Sequence, residues 1–241
     1  MSPTMSAMPS LVLDPAVARG AVPPRLVAIV PVGSLDGAKS RLGAVLDAEE
    51  RLDLTLRLAR ATIAAAVAAD QVDDVLVITP DDTIRALALE LGARPILQRD
   101  SGLNHGLVAA RDEAIAAGAR AILILPIDLP EVTSEAVDAV AAALDEPDRP
   151  LVAIVPDRHG RGTNALLIAP PDAIDLCFGG DSALAHQAAA RATGARLVVL
   201  GGPLTLDLDT PDDLLLAEIS LHAGEAAGHM GPAVREPVDV G

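Results

Sequence analysis

The sequence predicts one three-layer α/β/α domain around a mostly parallel sheet. Three observations lead there. Short apolar runs alternate with longer Ala/Leu-rich segments between residues 25 and 222. Most of the runs are continuous rather than alternating, as strands covered on both faces require. The longer segments carry helix start and stop residues. Strand and helix in regular alternation build a parallel sheet with helices on both sides.

The apolar runs are Leu26–Val32, Val75–Thr79, Pro95–Leu97, Ala121–Leu125, Leu151–Val155, Asn164–Ala169 and Leu197–Leu200. Between the first two, Asp47 and Glu50 have the spacing of a capping box for a helix running to about Ala69. Gly92, Gly118 and Gly194 stand where helices should end. Thr210-Pro211-Asp212-Asp213 reads as a helix start: a cap, a proline in the first helical position, and two acids that suit the helix dipole. Residues 1–24 are rich in Pro, Ser, Ala and Met and residues 223–241 in Gly, Pro, Glu and Ala; neither shows periodicity, and both read as loose tails. No linker interrupts residues 25–222, so one domain is expected there.

Composition narrows the function. Hydrophobic residues are 51% of the chain, yet there is no Trp, no Tyr and one Phe, so the core must be Ala, Leu, Val and Ile. The formal charge is -16. Such a chain repels nucleic acid and anionic membranes, and a single aromatic offers bases little to stack on. The longest strongly apolar stretch, around Ile122, spans about seven residues, against ~20 for a bilayer-crossing helix. No basic start followed by an apolar run appears, so a cytoplasmic location is expected. Cys177 is alone, which precludes an internal disulfide or cysteine zinc cluster; it reads as a small packing residue. The histidines are scattered: His105 reads as a solvent-facing helix residue, His186 lies on a helix, and no spacing suggests a zinc site or triad. The sequence leaves self-association open.

In open α/β sheets ligands sit beyond the carboxyl ends of the strands, so the segments after each strand matter most. After the first comes Pro31-Val32-Gly33-Ser34-Leu35-Asp36-Gly37-Ala38-Lys39-Ser40-Arg41. Gly33 and Ser34 suit close backbone approach to an anion, and Lys39 and Arg41 supply positive charge. Lys39 is the only lysine in the chain, where arginine is otherwise used throughout; a compact ammonium is wanted there. The spacing is not that of a Walker loop. After Ala121–Leu125, Asp128 stands between Pro126 and Pro130 in apolar surroundings, either as a turn residue or as a ligand for a hard cation. Asp207 and Asp209 lie two apart on an extended segment and so share a side, where they repel unless a cation lies between them; Asp209 also reads as a simple turn residue. Three more polar segments remain: Arg161-Gly162-Thr163-Asn164; Phe178-Gly179-Gly180-Asp181-Ser182, entering a helix; and Gly102-Leu103-Asn104-His105-Gly106. Asn104 suits either reading a base or holding a loop.

Taken in order, PVGSLDGAKSRL, GLNHGL, LPIDLP, GRGTNALLIAPP, FGGDS and LDLDTPDDL resemble one family over about residues 26–218. It is the guanylyltransferases that make a GDP-linked intermediate of coenzyme F-420, with 2-phospho-L-lactate or phosphoenolpyruvate as acceptor. The most specific part is GTNALL together with the FG..S loop. The first strand, its loop and the Asp after the fourth strand are shared with nucleotide-diphospho-sugar transferases of the glycosyltransferase-A-like fold.

The resemblance implies that GTP meets Gly33, Ser34, Lys39, Arg41 and Asn104. It implies that Asp128, Asp207 and Asp209 hold magnesium, and that Lys39 and Asp128 are catalytic. It implies that Thr163, Gly179 and Ser182 bind the phosphorylated three-carbon acid, helped by the backbone amides of Gly179 and Ser182. An already anionic acceptor oxygen would attack the α-phosphorus, so no general base is needed. In one respect the chain departs from the family. The loop before the serine usually reads Gly-Pro-Gly-Ser, and here Asp181 brings a negative charge beside an anion site. It is expected to point away or to alter substrate affinity. The alternatives are a nucleotidyltransferase with another acceptor, such as a molybdopterin or a sugar phosphate, or a non-catalytic nucleotide-binding module.

Overall fold

All seven apolar runs form strands of one sheet. The computed structural model describes residues 26–98, 102–145 and 149–217; the tails expected at 1–24 and 223–241 lie outside the described residues. In chain order the elements are β1 (Leu26–Pro31), α1 (Ala48–Ala68), β2 (Asp74–Thr79), α2 (Asp82–Glu90), β3 (Arg94–Leu97), α3 (Leu103–Ala116) and β4 (Ala121–Ile124). There follow α4 (Ser134–Ala141), β5 (Leu151–Pro156), β6 (Thr163–Ala169), α5 (Ser182–Thr193) and β7 (Arg196–Val199). Residues 211–217 are helical. Among the described residues no helix is long and apolar enough to cross a membrane.

The sheet order is β3-β2-β1-β4-β6-β5-β7. Strand β6 runs antiparallel to both neighbours; the other pairings are parallel. Its reversal follows from a tight turn over residues 157–162. There the Asp157 carboxylate accepts the N–H groups of His159 (3.0 Å) and Arg161 (2.8 Å), and Asp157 N–H donates to Gly162 O at 3.0 Å. The functional consequence is positional. Because β6 starts where the parallel strands end, Thr163 and Asn164 lie on the same edge of the sheet as the segments following β1 and β4.

Continuous apolar runs are explained by burial on both faces. In β1, Leu26, Ala28 and Val30 face one core and Val27 and Ile29 the other. The first core is closed by Ala59, Ile63 and Ala66 of α1, Ile84 and Leu87 of α2, and Val137 and Val140 of α4. The second is closed by Leu107, Ala110 and Ala114 of α3 and Ala190 of α5. Alanine-rich helix faces let the helices approach the sheet closely, which is how a core nearly free of aromatics is filled. The capping box on α1 forms as expected: Asp47 accepts from the Glu50 amide and Glu50 from the Asp47 amide, at 2.9 and 2.8 Å. Cys177 departs from expectation. It is exposed rather than packed, because its segment follows the edge of the second core, where Ile174, Leu176 and Phe178 turn inward and the residues between them face out.

Candidate active site

Three carboxylates converge at the carboxyl edge of the sheet. Asp128, Asp207 and Asp209 each present an oxygen, and the three oxygens lie within 4.8 Å of one another. Two backbone devices bring them together. Leu208 N–H donates to Asp128 O at 2.8 Å, tying the segment after β4 to the segment after β7. Asp213 then fixes the far end. Its carboxylate accepts from Asp209 N–H (3.1 Å), Thr210 N–H (2.7 Å) and the Thr210 hydroxyl (2.7 Å), and it pairs with Arg158 at 2.5 Å. In the sequence Asp213 reads as an acid suited to a helix dipole. The structure gives it a larger part: at 4% exposure it is a buried clamp on the backbone of Asp209. Burial works to raise its carboxyl, but the Thr210 and Asp209 hydrogen bonds and the Arg158 charge outweigh that and hold it below the ordinary range.

Lys39 sits against this cluster. Its Nζ donates to Leu208 O at 2.6 Å and to Asp209 Oδ1 at 3.2 Å, and lies 3.8 Å from Asp128 Oδ2. The residue adopts a left-handed conformation, φ 51° and ψ 37°, just before a short 3-10 turn at Ser40–Ala44. The lone lysine is thus the internal counter-ion of the acidic cluster. Arg41 reaches Asp209 at 3.3 Å from a side chain that is 75% exposed. A cleft of about 300 Å³ is lined by Lys39, Ser40, Arg41 and Asp209. Gly33 and Ser34 are exposed on the same loop, with Ser34 Oγ accepting from Asp36 N–H at 3.2 Å.

Lys39 and the exposed Arg41 together do not neutralise three acids, and the carboxyl groups register the excess. Burial, then the charge of Asp128, pushes Asp207 up to about 6. Burial raises Asp128 too, with Lys39 opposing and Asp209 reinforcing. Asp207 keeps its proton in the folded chain between about pH 4, where the unfolded carboxyl titrates, and about pH 6. The folded state binds more protons in that window, so stability falls as pH rises through it and is level above. Asp207→Asn should therefore stabilise the metal-free protein. The gain should be near zero at pH 4 and about 1 kcal/mol above pH 6.5, discounted for partial exposure. Denaturant unfolding of both proteins across that range measures it; a constant difference would contradict the clustering of charge.

The candidate acceptor residues form a second group. Thr163 opens β6 and Ser182 opens α5; both are buried, at 6% and 3% exposure. Ala183 N–H donates to Arg161 O at 2.8 Å, which pins the start of α5 to the residues before β6. Gly179 adopts φ 152°, a backbone that side-chain-bearing residues rarely take. The Ser182 amide, expected to face the acceptor, donates instead to Gly179 O at 3.2 Å; the turn needs it, so it is engaged within the loop. Asp181 has its charge paired with Arg161 Nε at 2.8 Å. That pairing answers the departure seen in the sequence. Of the two roles open to Asn104, its contacts are those of a loop holder: it accepts from Phe178 N–H at 2.8 Å and donates to Phe178 O at 2.9 Å. Asn164, beside Thr163 in the same polar segment, donates to Leu204 O at 2.9 Å and ties β6 to the segment leading to Asp207.

Three carboxylates beside a lysine, next to a loop carrying glycine, serine and arginine, can manage a polyanion only with added positive charge. Comparison with known proteins agrees with such chemistry. A family model described as guanylyl transferase CofC like matches residues 26–229. A phosphoenolpyruvate guanylyltransferase of Sphaerobacter thermophilus is 46% identical over 198 residues, covering 82% of this chain and 93% of that protein. One of the same name from Rubrobacter xylanophilus is 42% identical over 194 residues, covering 80% and 93%. Among solved structures, a protein of Desulfovibrio desulfuricans G20 described as a nucleotide-diphospho-sugar transferase superposes with TM-score 0.63 at 17% identity, covering 83% of this chain and 95% of that one. CMP:2-keto-3-deoxy-manno-octonic acid synthetase complexed with CTP superposes with TM-score 0.54 at 16% identity, covering 83% and 99%. At those identities the two structures establish the fold alone.

Proposed function

The chain belongs to the CofC-like guanylyl transferase family, and from that premise we propose that it transfers GMP from GTP to the phosphate of phosphoenolpyruvate, releasing pyrophosphate, in the biosynthesis of coenzyme F-420. The observation that carries this reading is the meeting of Asp128, Asp207 and Asp209 around Lys39, beside the loop after β1. The choice of acceptor rests on relatives named phosphoenolpyruvate guanylyltransferase.

The donor set fits a hard divalent cation: all three groups are carboxylate oxygens, and their charge exceeds what Lys39 balances. Magnesium held by Asp128, Asp207 and Asp209 would supply the charge neutralisation that lets two polyanions approach. The protein's own residues do the rest by position. Lys39 has three N–H donors, two of them directed at Leu208 O and Asp209, which leaves one for a phosphate oxygen. Arg41 lines the same cleft from an exposed side chain, and its charge would meet the departing pyrophosphate. The hydroxyls of Thr163 and Ser182 and the amide of Gly179 hold the acceptor. Its phosphate oxygen is anionic at neutral pH and attacks the α-phosphorus without a base, so catalysis is a matter of orientation and electrostatics.

Mass analysis of products tests the reading. The protein is incubated with GTP, magnesium and, separately, phosphoenolpyruvate, 2-phospho-L-lactate or 3-phosphoglycerate. Guanylylated enolpyruvate diphosphate should form in the first reaction with one pyrophosphate per product. Guanylyl transfer to another acid instead would reassign the acceptor. No transfer to any of the three would refute the reading.

A further inference from the structure

His186 is buried without any exposure in the middle of the acceptor group. It lies four residues after Ser182, so the two side chains share a face of α5. Its ring bonds two groups. Cys177 N–H donates to Nε2 at 3.0 Å, and Thr163 Oγ1 lies 3.2 Å from Nδ1. The Phe178 ring meets it edge-on at 5.0 Å between centroids, 64° between planes. An amide N–H can only donate, so Nε2 must be the bare nitrogen. A neutral imidazole then carries its proton on Nδ1, and that proton can go only to Thr163 Oγ1. Burial favours this neutral form, lowering the imidazole to about 4. The Thr163 oxygen therefore acts as acceptor toward the ring, and its own hydrogen is left for another partner. Among the described residues the ring is the one side-chain partner of that oxygen.

We infer that His186 is a positioning residue: by filling the acceptor side of the Thr163 hydroxyl, it leaves that hydroxyl to donate outward, which suits an anionic oxygen of the acceptor acid. The same ring holds the loop before α5 at Cys177, one residue before the Phe178 backbone that Asn104 holds from the other side. The inference rests on the reading of Thr163 and Ser182 as acceptor ligands, and two measurements separate its fate from that reading.

The first is the nitrogen spectrum of the histidines in the whole protein at pH 7, with the His186 signals identified by their loss in His186→Gln. One protonated Nδ1 and one bare Nε2 are expected. The opposite tautomer, or a doubly protonated ring, overturns the inference. The second is steady-state kinetics. His186→Phe should raise KM for phosphoenolpyruvate about tenfold, as loss of one hydrogen bond to a charged group does, with kcat and KM for GTP within about twofold. Thr163→Val should do the same, and the double variant should be no worse than Thr163→Val alone. His186→Gln, whose amide offers one acceptor and one donor, should recover most of the loss and covers the case in which the phenylalanine variant fails to fold. Additive effects, or an equal rise in KM for GTP, overturn the inference while leaving the functional reading intact. A wild-type protein that turns over no phosphorylated three-carbon acid overturns both.

Discussion

Asp128→Asn should reduce pyrophosphate release from GTP and phosphoenolpyruvate by about a thousandfold or more while the protein folds and melts normally. The two halves of that statement have separate causes. The fold survives because Asp128 is held through its backbone: its carbonyl accepts from Leu208 N–H at 2.8 Å, and an asparagine keeps that bond and nearly the same shape. Activity is lost because an amide cannot supply anionic charge where three carboxylate oxygens meet within 4.8 Å. The melting temperature should stay the same or rise slightly, since burial, reinforced by Asp209, disfavours the Asp128 charge more than Lys39 favours it. Asp212→Asn is the control. Asp212 is an exposed acid in the first turn of the following helix, outside the cluster, and its loss removes the same charge without the same consequence. A coupled pyrophosphate assay and a thermal melt on both variants decide the matter. Asp128→Asn within tenfold of wild type would remove this carboxylate from the chemistry.

Whatever is written locally along the chain is legible in its sequence. Strand positions were legible because burial on both faces leaves a continuous apolar run: Ala121–Leu125 was expected, and Ala121–Ile124 pairs in the sheet with Leu125 N–H still donating to Ile29 O. Helix starts were legible because the capping residues are neighbours in the chain, as Asp47 and Glu50 are. Asp128 is legible as a carboxylate following an apolar strand, and Asp207 and Asp209 as two acids sharing one side of an extended segment. The reversal of β6 was not legible, since an antiparallel strand buried on both faces has the same continuous composition as a parallel one. Nor were the long-range partners. Lys39 bonds Leu208 across 169 positions, Arg158 meets Asp213, and the ring of His186 joins Thr163 to Cys177; none of these pairs has a spacing that a local pattern could flag. The consequence for His186 and Asp213 was the same. In the sequence each reads as a local residue, one on a helix and one suited to a helix dipole; in the structure each is a buried group whose hydrogen bonds hold distant segments together.

Lys39 should prove the residue where stability and turnover part company. Lys39→Met leaves the acids around it without their counter-ion. Removal of one partner of a fully buried pair costs about 3–5 kcal/mol. Here the Lys39 side chain is 10% exposed but Asp128 is 29% and Asp209 38% exposed, so a loss of about 2 kcal/mol is expected, with turnover down at least a hundredfold. Lys39→Arg keeps the charge and should recover most of that stability, because a guanidinium can still pair with Asp209. It should not recover the activity. The ammonium reaches Leu208 O at 2.6 Å and Asp209 Oδ1 at 3.2 Å from one nitrogen and keeps a third N–H to spare. A planar fork on a longer stem cannot place two such bonds and a free donor at a single point. Arg41→Ala sets the scale for an exposed cation at the same cleft, and a change of only a few fold is expected there. Denaturant unfolding and initial-rate measurements on the three variants resolve the two effects. Should the arginine variant turn over at the wild-type rate, bulk positive charge would suffice beside Asp209, and the retention of a single lysine at residue 39 would have no catalytic explanation.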